Sequence, residues 1–358
     1  MEKYAVIMAG GAGLRLWPLS RESKPKQFIS IDGGKSLLVR SIERIVELIP
    51  PERCFVVTNK NGLELARETL KGLLPDANIM IEPLRKNTAA CIAYASLLFE
   101  KRIEEGLLCF IPADSCIKNK TEYLRAISQA YQAAESSNAL VIVGVRPTYP
   151  ATGYGYIQID PEERTVSGGS SKVLRFEEKP SAETANLYLN SDQYLWNSGM
   201  VAGRLQSFIC GIRQYLPDHF RKITDALADS ESDKMASTIE SAYTELEDIS
   251  FDHGVLEKTG NLHAVKGMFD WNDIGSLDAL SVVLDPDANN NAVLGKHCGI
   301  DTSDSVIYSM DRLVATIGLR NMIIVDAGDA IVVCPKERAQ EVKSLVETIK
   351  KSDHANFT

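Results

Sequence analysis

The sequence predicts a two-part α/β protein: a Rossmann-like domain on a mixed, mostly parallel sheet, then a small β-solenoid-like domain. Three observations carry this. Apolar β-rich runs alternate with helical stretches over the first 145 residues, Pro, Asp and Asn cluster at 285–291, and short β-rich runs recur at seven- to nine-residue steps beyond. A chain of 358 residues also exceeds the ~250–300 residues that one hydrophobic core usually serves, so the expected domains are 1–285 and 286–358.

The runs YAVIMA (4–9), CFVVTN (54–59), NIMIEP (78–83), LLCFIP (107–112) and ALVIVGV (139–145) read as strands buried on both faces. Between them, Leu38, Ile42, Ile45 and Ile49, then 62–73, 88–103 and 122–135, have helical spacing. Such alternation puts a ligand crevice outside the carboxyl ends of the strands. From Gly153 the pattern is mixed, with GYGYIQI, a glycine-serine turn at 167–171 and KVLRFEEKP, and it reads as the substrate-binding half of the same domain. After the break at DPDANNN, the runs VIYSM (306–310), LVATIG (313–318), MIIVDA (322–327) and AIVVCP (330–335) predict four short strands. A closing helix follows over 336–351, with a frayed polar tail over 352–358.

Composition narrows the function. A net charge of −9 argues against a nucleic-acid partner. The apolar stretch 4–9 is too short for a secretion signal and nothing approaches the ~18 residues of a membrane span, so a soluble cytoplasmic protein is expected. Seven cysteines without paired spacing fit reduced thiols, most of them buried.

The most informative segment is AGGAGLRLWPLSRESKPKQF, residues 9–28, directly after the first strand. Gly10, Gly11 and Gly13, following Ala9, let consecutive amides surround phosphate oxygens. Leu16 stands where a dinucleotide fingerprint needs its third glycine, and no Gly-Lys-Ser/Thr completes a Walker loop. Arg15 can fork onto phosphate oxygens, Lys24 lies further along, and Lys26 can supply a point charge where negative charge builds at phosphorus.

This string resembles the signature of the mannose-1-phosphate guanylyltransferases of the monofunctional bacterial type, within the sugar nucleotidyltransferase superfamily. Six further segments carry the resemblance across the chain: EPLRKNTAACIA (82–93), FIPADSCI (110–117), GYGYI (153–157), FEEKP (176–180), WNSGM (196–200) and MFDWNDIGS (268–276). The resemblance implies transfer of GMP from GTP to α-D-mannose 1-phosphate, with Arg15 and Lys26 catalytic and Mg2+ held by Asp114 and Asp273. A strand-end carboxylate suits magnesium, which takes one or two protein carboxylates and completes its shell with water and substrate phosphates. Neighbouring Asp270 is a weaker candidate. Glu82 is implied as the guanine reader, since one carboxylate accepts from both N1–H and the exocyclic amine, with Asn87 and Thr88 adding contacts or capping a helix. Gly153, Gly155, Glu178, Asn197 and Lys179 are implied on the sugar-phosphate side.

The chain departs from the family pattern at Leu14 (threonine), Ser115 (histidine) and Leu277 (tryptophan), which leaves open the same reaction on another sugar or base. A regulatory subunit without turnover is the alternative from another class, and retention of Arg15, Lys26, Asp114 and Asp273 argues against it. SFDHGVLEK (250–258) reads as framework, His253 included. The ~50 residues of the β module are too few for a solenoid acyltransferase. The isomerase domain of longer relatives is missing, so no isomerase activity is expected. An apolar small β domain is the expected surface of a homodimer.

Overall fold

A computed structural model describes residues 1–11, 13–160, 169–228 and 232–358, the last without the side chains of 232–235. The first half of the chain forms β1 (Lys3–Met8), α1 (Leu37–Ile45), β2 (Cys54–Asn59), α2 (Leu63–Leu70), β3 (Ile79–Glu82), α3 (Asn87–Glu100), β4 (Leu107–Pro112), β5 (Cys116–Ile117), α4 (Lys120–Ser137) and β6 (Leu140–Val145). The second half adds β7 (Tyr156–Ile159), β8 (Ser170–Glu177), α5 (Ala182–Leu189), β9 (Tyr194–Arg204), α6 (Leu205–Tyr215), α7 (Pro217–Ala228), α8 (Ser232–Thr244), β10 (Leu262–Gly267), β11 (Trp271–Asn272) and α9 (Leu280–Val283). Ser170 and Ser171 of the expected glycine-serine turn open β8, and positions 167–168 lie outside the described residues.

Nine of these strands make one sheet in the order β3-β2-β1-β4-β9-β6-β10-β8-β7. Successive side chains of a strand point to opposite faces, and the sequence uses both. Tyr4, Val6, Phe55, Val57, Leu108 and Phe110 pack with α3, α6, α7 and α8. Ala5, Ile7, Cys54, Val56, Cys109 and Ile111 pack with α1, α2 and α4 on the other side. Helix α3 is apolar nearly all round because it is enclosed, with Ala89 to Leu97 buried. Side-chain caps fix other helix starts: Ser36 accepts from the Val39 amide and Asn119 from that of Glu122.

Register places the site. In the parallel pairs Met8 lies opposite Pro112 and Asn59 opposite Glu82, so the glycine loop, Glu82 and Asp114 leave the sheet at one end. The antiparallel strand β9 separates β4 from β6 and brings Asn197 opposite Gly144. The short ladder of β5 with β11 pairs Cys116 with Asn272, drawing the Asp114 and Asp273 loops together.

The carboxyl-terminal strands are β12 (Ala292–Ile300), β13 (Val306–Ile317), β14 (Met322–Asp326) and β15 (Ile331–Pro335), hydrogen-bonded in that order, the first three parallel and the last antiparallel. The corners between them use residues that tolerate positive φ: Asn290, Asp304 and Asn321 at 61°, 54° and 56°. They also stack, Asn290 Nδ2 donating to Asp304 Oδ1 at 2.9 Å. The strand pattern differs from expectation in two places. The runs at 306 and 313 are one strand, since exposed Met310, Asp311 and Arg312 continue the backbone without a turn, and β12 was not anticipated because its outer half is exposed and polar. A 3-10 turn, Lys336–Glu341, then leads into α10 (Val342–Lys350).

Two further expectations are corrected. The tail is not frayed: Ala355–Phe357 forms a 3-10 turn, and the Phe357 carbonyl accepts from Trp17 and Arg21. Of the cysteines, all free, only Cys54, Cys91 and Cys109 are buried, because Cys210 and Cys298 lie on outward faces of α6 and β12. The carboxyl-terminal strands share their core with Leu16, Trp17, Ile29, Ile31 and Leu37, so the break at 285–291 divides the chain without dividing the packing.

Candidate active site

The glycine loop is held from beneath by its carbonyls. Gln27 Nε2 donates to Ala9 O at 2.7 Å, Thr58 Oγ1 to the same oxygen at 3.2 Å, and Asn59 Nδ2 to Gly10 O at 3.3 Å. The amides of Gly10, Gly11 and Gly13 donate to no described residue, which leaves them for an anion. Gly13 sits at φ 66°, and a Cβ there would stand 2.4 Å from Lys26 Cβ, so only glycine lets the loop close against that lysine. Arg15 is exposed on the following turn and pairs with no described carboxylate; Lys24 is exposed as well.

Lys26 is only 6% exposed, and its Nζ lies 3.0 Å from Asp114 Oδ2 while also donating to the Asp273 carbonyl. One ammonium thus joins three segments distant in sequence. Asp273 Oδ1 accepts from the Tyr154 hydroxyl at 3.0 Å and from the Gly275 amide at 2.9 Å. Burial raises the Asp273 carboxyl above the usual carboxylate range, against the pull of Lys26 and Tyr154 and with some help from Asp114. A Cβ at Gly275 would fall 3.0 Å from that carboxylate, which accounts for the glycine after it. Ile274 between them holds φ 48°, a costly conformation for a β-branched residue, fixed by its complete burial and by Asn272 Oδ1 accepting from its amide at 2.7 Å.

Asp114 and Asp273 line a cavity of about 220 Å3 together with Gly153, Tyr154, Gly155, Glu178, Asn197 and Asp252. Gly155 has a tight steric role: a Cβ would come within 2.4 Å of Glu178 Oε2. Gly153 meets no such neighbour. Asn197 is fixed at both ends of its amide, Nδ2 donating to Asp252 Oδ1 at 2.7 Å and Oδ1 accepting from the Gly199 amide at 3.0 Å. Lys179 pairs with Glu178 at 2.6 Å, its exposed ammonium at the rim. A larger cavity of about 630 Å3 lies at the opposite end of the sheet, near Gly106, Leu140 and Cys210, with no comparable convergence of lysine and carboxylates.

The remaining expected residues divide. Glu82 is 3% exposed behind Gly10, with Oε1 lacking a partner; burial pushes its carboxyl up to about 8, opposed by the Tyr243 hydroxyl and Arg85. Asn87 and Thr88 are engaged with the protein: Asn87 Nδ2 donates to Asp248, and Thr88 Oγ1 accepts from the Phe251 amide at 2.8 Å. Asp270 is exposed and outside the cavity lining. Leu277 packs in the core shared with the carboxyl-terminal strands, not beside the cavity, and Leu14 packs against the same cluster. Ser115 is buried, its carbonyl accepting from Arg44 at 3.4 Å. The sequence reading missed Tyr154 and Asp252. Tyr154 sits between the two glycines of GYGYI, where a signal was available; Asp252 lies in a segment read as framework, and nothing local marked it.

The nucleotidyl transferase family matches residues 4–289, and the MannoseP isomerase/GMP-like beta-helix domain matches 295–349. A mannose-1-phosphate guanylyltransferase of Escherichia coli is 37% identical over 355 residues, covering 98% of this chain and 75% of the relative. The chain belongs to the mannose-1-phosphate guanylyltransferase family. A relative of that name from Klebsiella pneumoniae is 37% identical over 357 residues, again covering 98% of this chain and 75% of its own. The crystal structure described as mannose-1-phosphate geranyltransferase from Thermus thermophilus superposes with a TM-score of 0.86 at 34% identity, over 98% of this chain and all of the other.

Nucleotidyl transferases work with a divalent metal. The donor set of this guanylyltransferase-family site fits a hard cation: Asp114 Oδ1 and Asp273 Oδ2 accept from no described residue, and both residues line one cavity. No group of three or more His, Cys, Asp or Glu is gathered for a metal among the described residues, so further donors would come from substrate and water. Among the described residues no helix is long and apolar enough to cross a membrane.

Proposed function

We propose that this protein transfers GMP from GTP to α-D-mannose 1-phosphate, giving GDP-mannose and pyrophosphate, with Mg2+ as its metal. The observation that carries the reading is the position of Lys26, which touches Asp114, the Asp273 backbone and Gly13 of the glycine loop at once. Membership of the family and the names of its relatives point to the substrates.

A sugar phosphate is already anionic at neutral pH, so no base is needed to make the nucleophile. The protein's work is alignment and charge compensation. The amides of Gly10, Gly11 and Gly13 together with Arg15 hold the triphosphate, and Glu82, ionised when the two donors of the guanine edge face it, reads the base, with Asn87 and Thr88 shaping that wall. Lys26 offsets charge at the α-phosphorus as pyrophosphate leaves. Asp114 and Asp273 would hold magnesium, whose charge neutralises the facing phosphates of the two substrates when bound. Gly153, Gly155, Glu178 and Asn197 receive the sugar, with Lys179 at its phosphate.

Residues 1–285 serve as the catalytic domain and 286–358 as the β-helix-like one. We place the protein in the cytoplasm as a homodimer, with Ile300, Leu313 and Ile317, each at least 60% exposed on adjacent strands, as its apolar contact. A matrix of nucleoside triphosphates against sugar 1-phosphates, read as pyrophosphate release with and without Mg2+, tests the reading. The GTP and mannose 1-phosphate pair is expected to give the highest kcat/KM; no release from any pair overturns it.

A further inference from the structure

The middle of the signature string, Trp17 to Lys24, has no part in the phosphate chemistry described above, and its Trp17, Arg21 and Glu22 side chains reach the carboxyl-terminal module. Trp17 is 5% exposed, and its Nε1 donates to the Phe357 carbonyl at 2.8 Å. Arg21 Nη1 donates to that same oxygen at 2.6 Å, and Arg21 Nη2 reaches Asp329 Oδ1 at 2.5 Å. Glu22 pairs with Lys350 of α10. Beneath these polar contacts, Leu16 and Trp17 pack in one core with Val325 and Val346.

The loop so fastened is closed at its neck. Gly13 touches Lys26, and the Gly13 carbonyl accepts from the Leu16 amide at 2.9 Å and from the Ser20 hydroxyl. Arg21 and Lys24 exchange backbone hydrogen bonds at 3.0 and 3.1 Å just before Lys26. Arg15 rides on the turn that ends at Trp17. Displacing Trp17 or Arg21 therefore moves the two basic groups that face the nucleotide, Arg15 and Lys26, while the acceptor wall at 153–155, 178 and 197 hangs from other strands.

We propose that the carboxyl-terminal segment is a latch on the nucleotide loop, with Trp17 and Arg21 as positioning residues for the GTP side of the reaction. The proposal rests on the guanylyltransferase reading of the site. It gives the β module a part in catalysis that packing alone would not require, since a merely stabilising module would affect both substrates alike.

The test uses the full chain with Arg21→Ala, Arg21→Lys, Trp17→Phe and Asp329→Asn, measuring KM for each substrate, kcat and thermal melting. Arg21→Ala is expected to raise KM for GTP about tenfold and lower kcat about tenfold, with KM for mannose 1-phosphate within about twofold. Arg21→Lys is expected to restore part of both, and Trp17→Phe, which keeps the ring packing but removes the donor, to move KM for GTP about threefold in the same direction. Equal changes in both KM values, or a fall in kcat that only follows the folded fraction, overturns the latch. If Arg21→Ala does not fold, Trp17→Phe and Asp329→Asn decide by the same criteria. Asp114→Asn is assayed alongside: normal turnover there overturns the site reading, whereas an unchanged Arg21→Ala enzyme beside an inactive Asp114→Asn overturns only the latch.

Discussion

Lys26 Nζ lies 3.0 Å from Asp114 Oδ2, joining the end of the glycine loop to the carboxyl end of β4. Asp114 is partly exposed but Lys26 is buried, so losing either partner leaves the other less compensated and costs stability as well. Lys26→Ala and Asp114→Asn are expected to lower kcat by about 10²–10³-fold, a loss far larger than any fall in the folded fraction at the assay temperature. Pyrophosphate release measured beside a thermal melt checks this. Turnover within twofold of the parent would remove the substituted residue from the chemistry.

Gly11 and Gly13 separate binding from folding. At Gly13 a side chain meets both a positive φ and Lys26 Cβ at 2.4 Å, whereas a Cβ at Gly11 meets nothing within 4 Å. Gly13→Ala is expected to cost about 1–3 kcal/mol in urea unfolding. Gly11→Ala is expected to leave stability within about 0.5 kcal/mol and to raise KM for GTP, because the added methyl narrows the anion cradle. Equal stability of the two variants would show that the loop conformation is not constrained.

The strands and the strand-end position of the site were legible because both follow from periodicity: apolar runs between helices force a parallel sheet, and such a sheet exposes its carboxyl ends. Asp114 and Asp273 were singled out through the resemblance of FIPADSCI and MFDWNDIGS to the family's segments, and the fold brings both to one cavity. What was not legible depends on contacts between distant segments. Asp252 reaches the cavity through contacts from distant segments, Thr88 of α3 accepting from the Phe251 amide and Asn197 of β9 donating to Asp252 itself. The tail read as frayed because SDHANFT is polar, yet what anchors it is a backbone carbonyl, a group every sequence contains. Leu277 read as a departure that leaves another sugar or base open, but the chain turns at Ile274 and sends it into another core.

Glu82 gives a pH test with a definite sign. Burial raises its carboxyl from an ordinary 4.5 to about 8, so the folded protein holds a proton that the unfolded chain has lost across that interval. The stability this confers is fully present below pH 4.5 and is lost as pH rises through about 8. Glu82→Gln is neutral throughout. Relative to the parent it should therefore gain stability between pH 5 and pH 9, by an amount on the order of a few kcal/mol. Urea unfolding of both proteins at the two pH values measures the gain, and a difference that does not change with pH would mean the buried carboxyl already ionises freely.

Asp252 holds Asn197 by one hydrogen bond of 2.7 Å, while Gly199 holds the other end of the same amide. Burial raises the Asp252 carboxyl above its ordinary range, reinforced by Glu178 and opposed by Asn197. A neutral amide in its place keeps an acceptor oxygen for Asn197 Nδ2, but alanine leaves that donor without its partner inside the cavity wall. Asp252→Ala is therefore expected to raise KM for mannose 1-phosphate about tenfold, equivalent to a lost hydrogen bond of ~1–1.5 kcal/mol, with KM for GTP unchanged. Asp252→Asn is expected to stay within about threefold of the parent. Steady-state kinetics in both substrates distinguish the cases: a rise in KM for GTP of equal size would place Asp252 in general support of the fold, because its only polar contact with the proposed residues is on the acceptor wall.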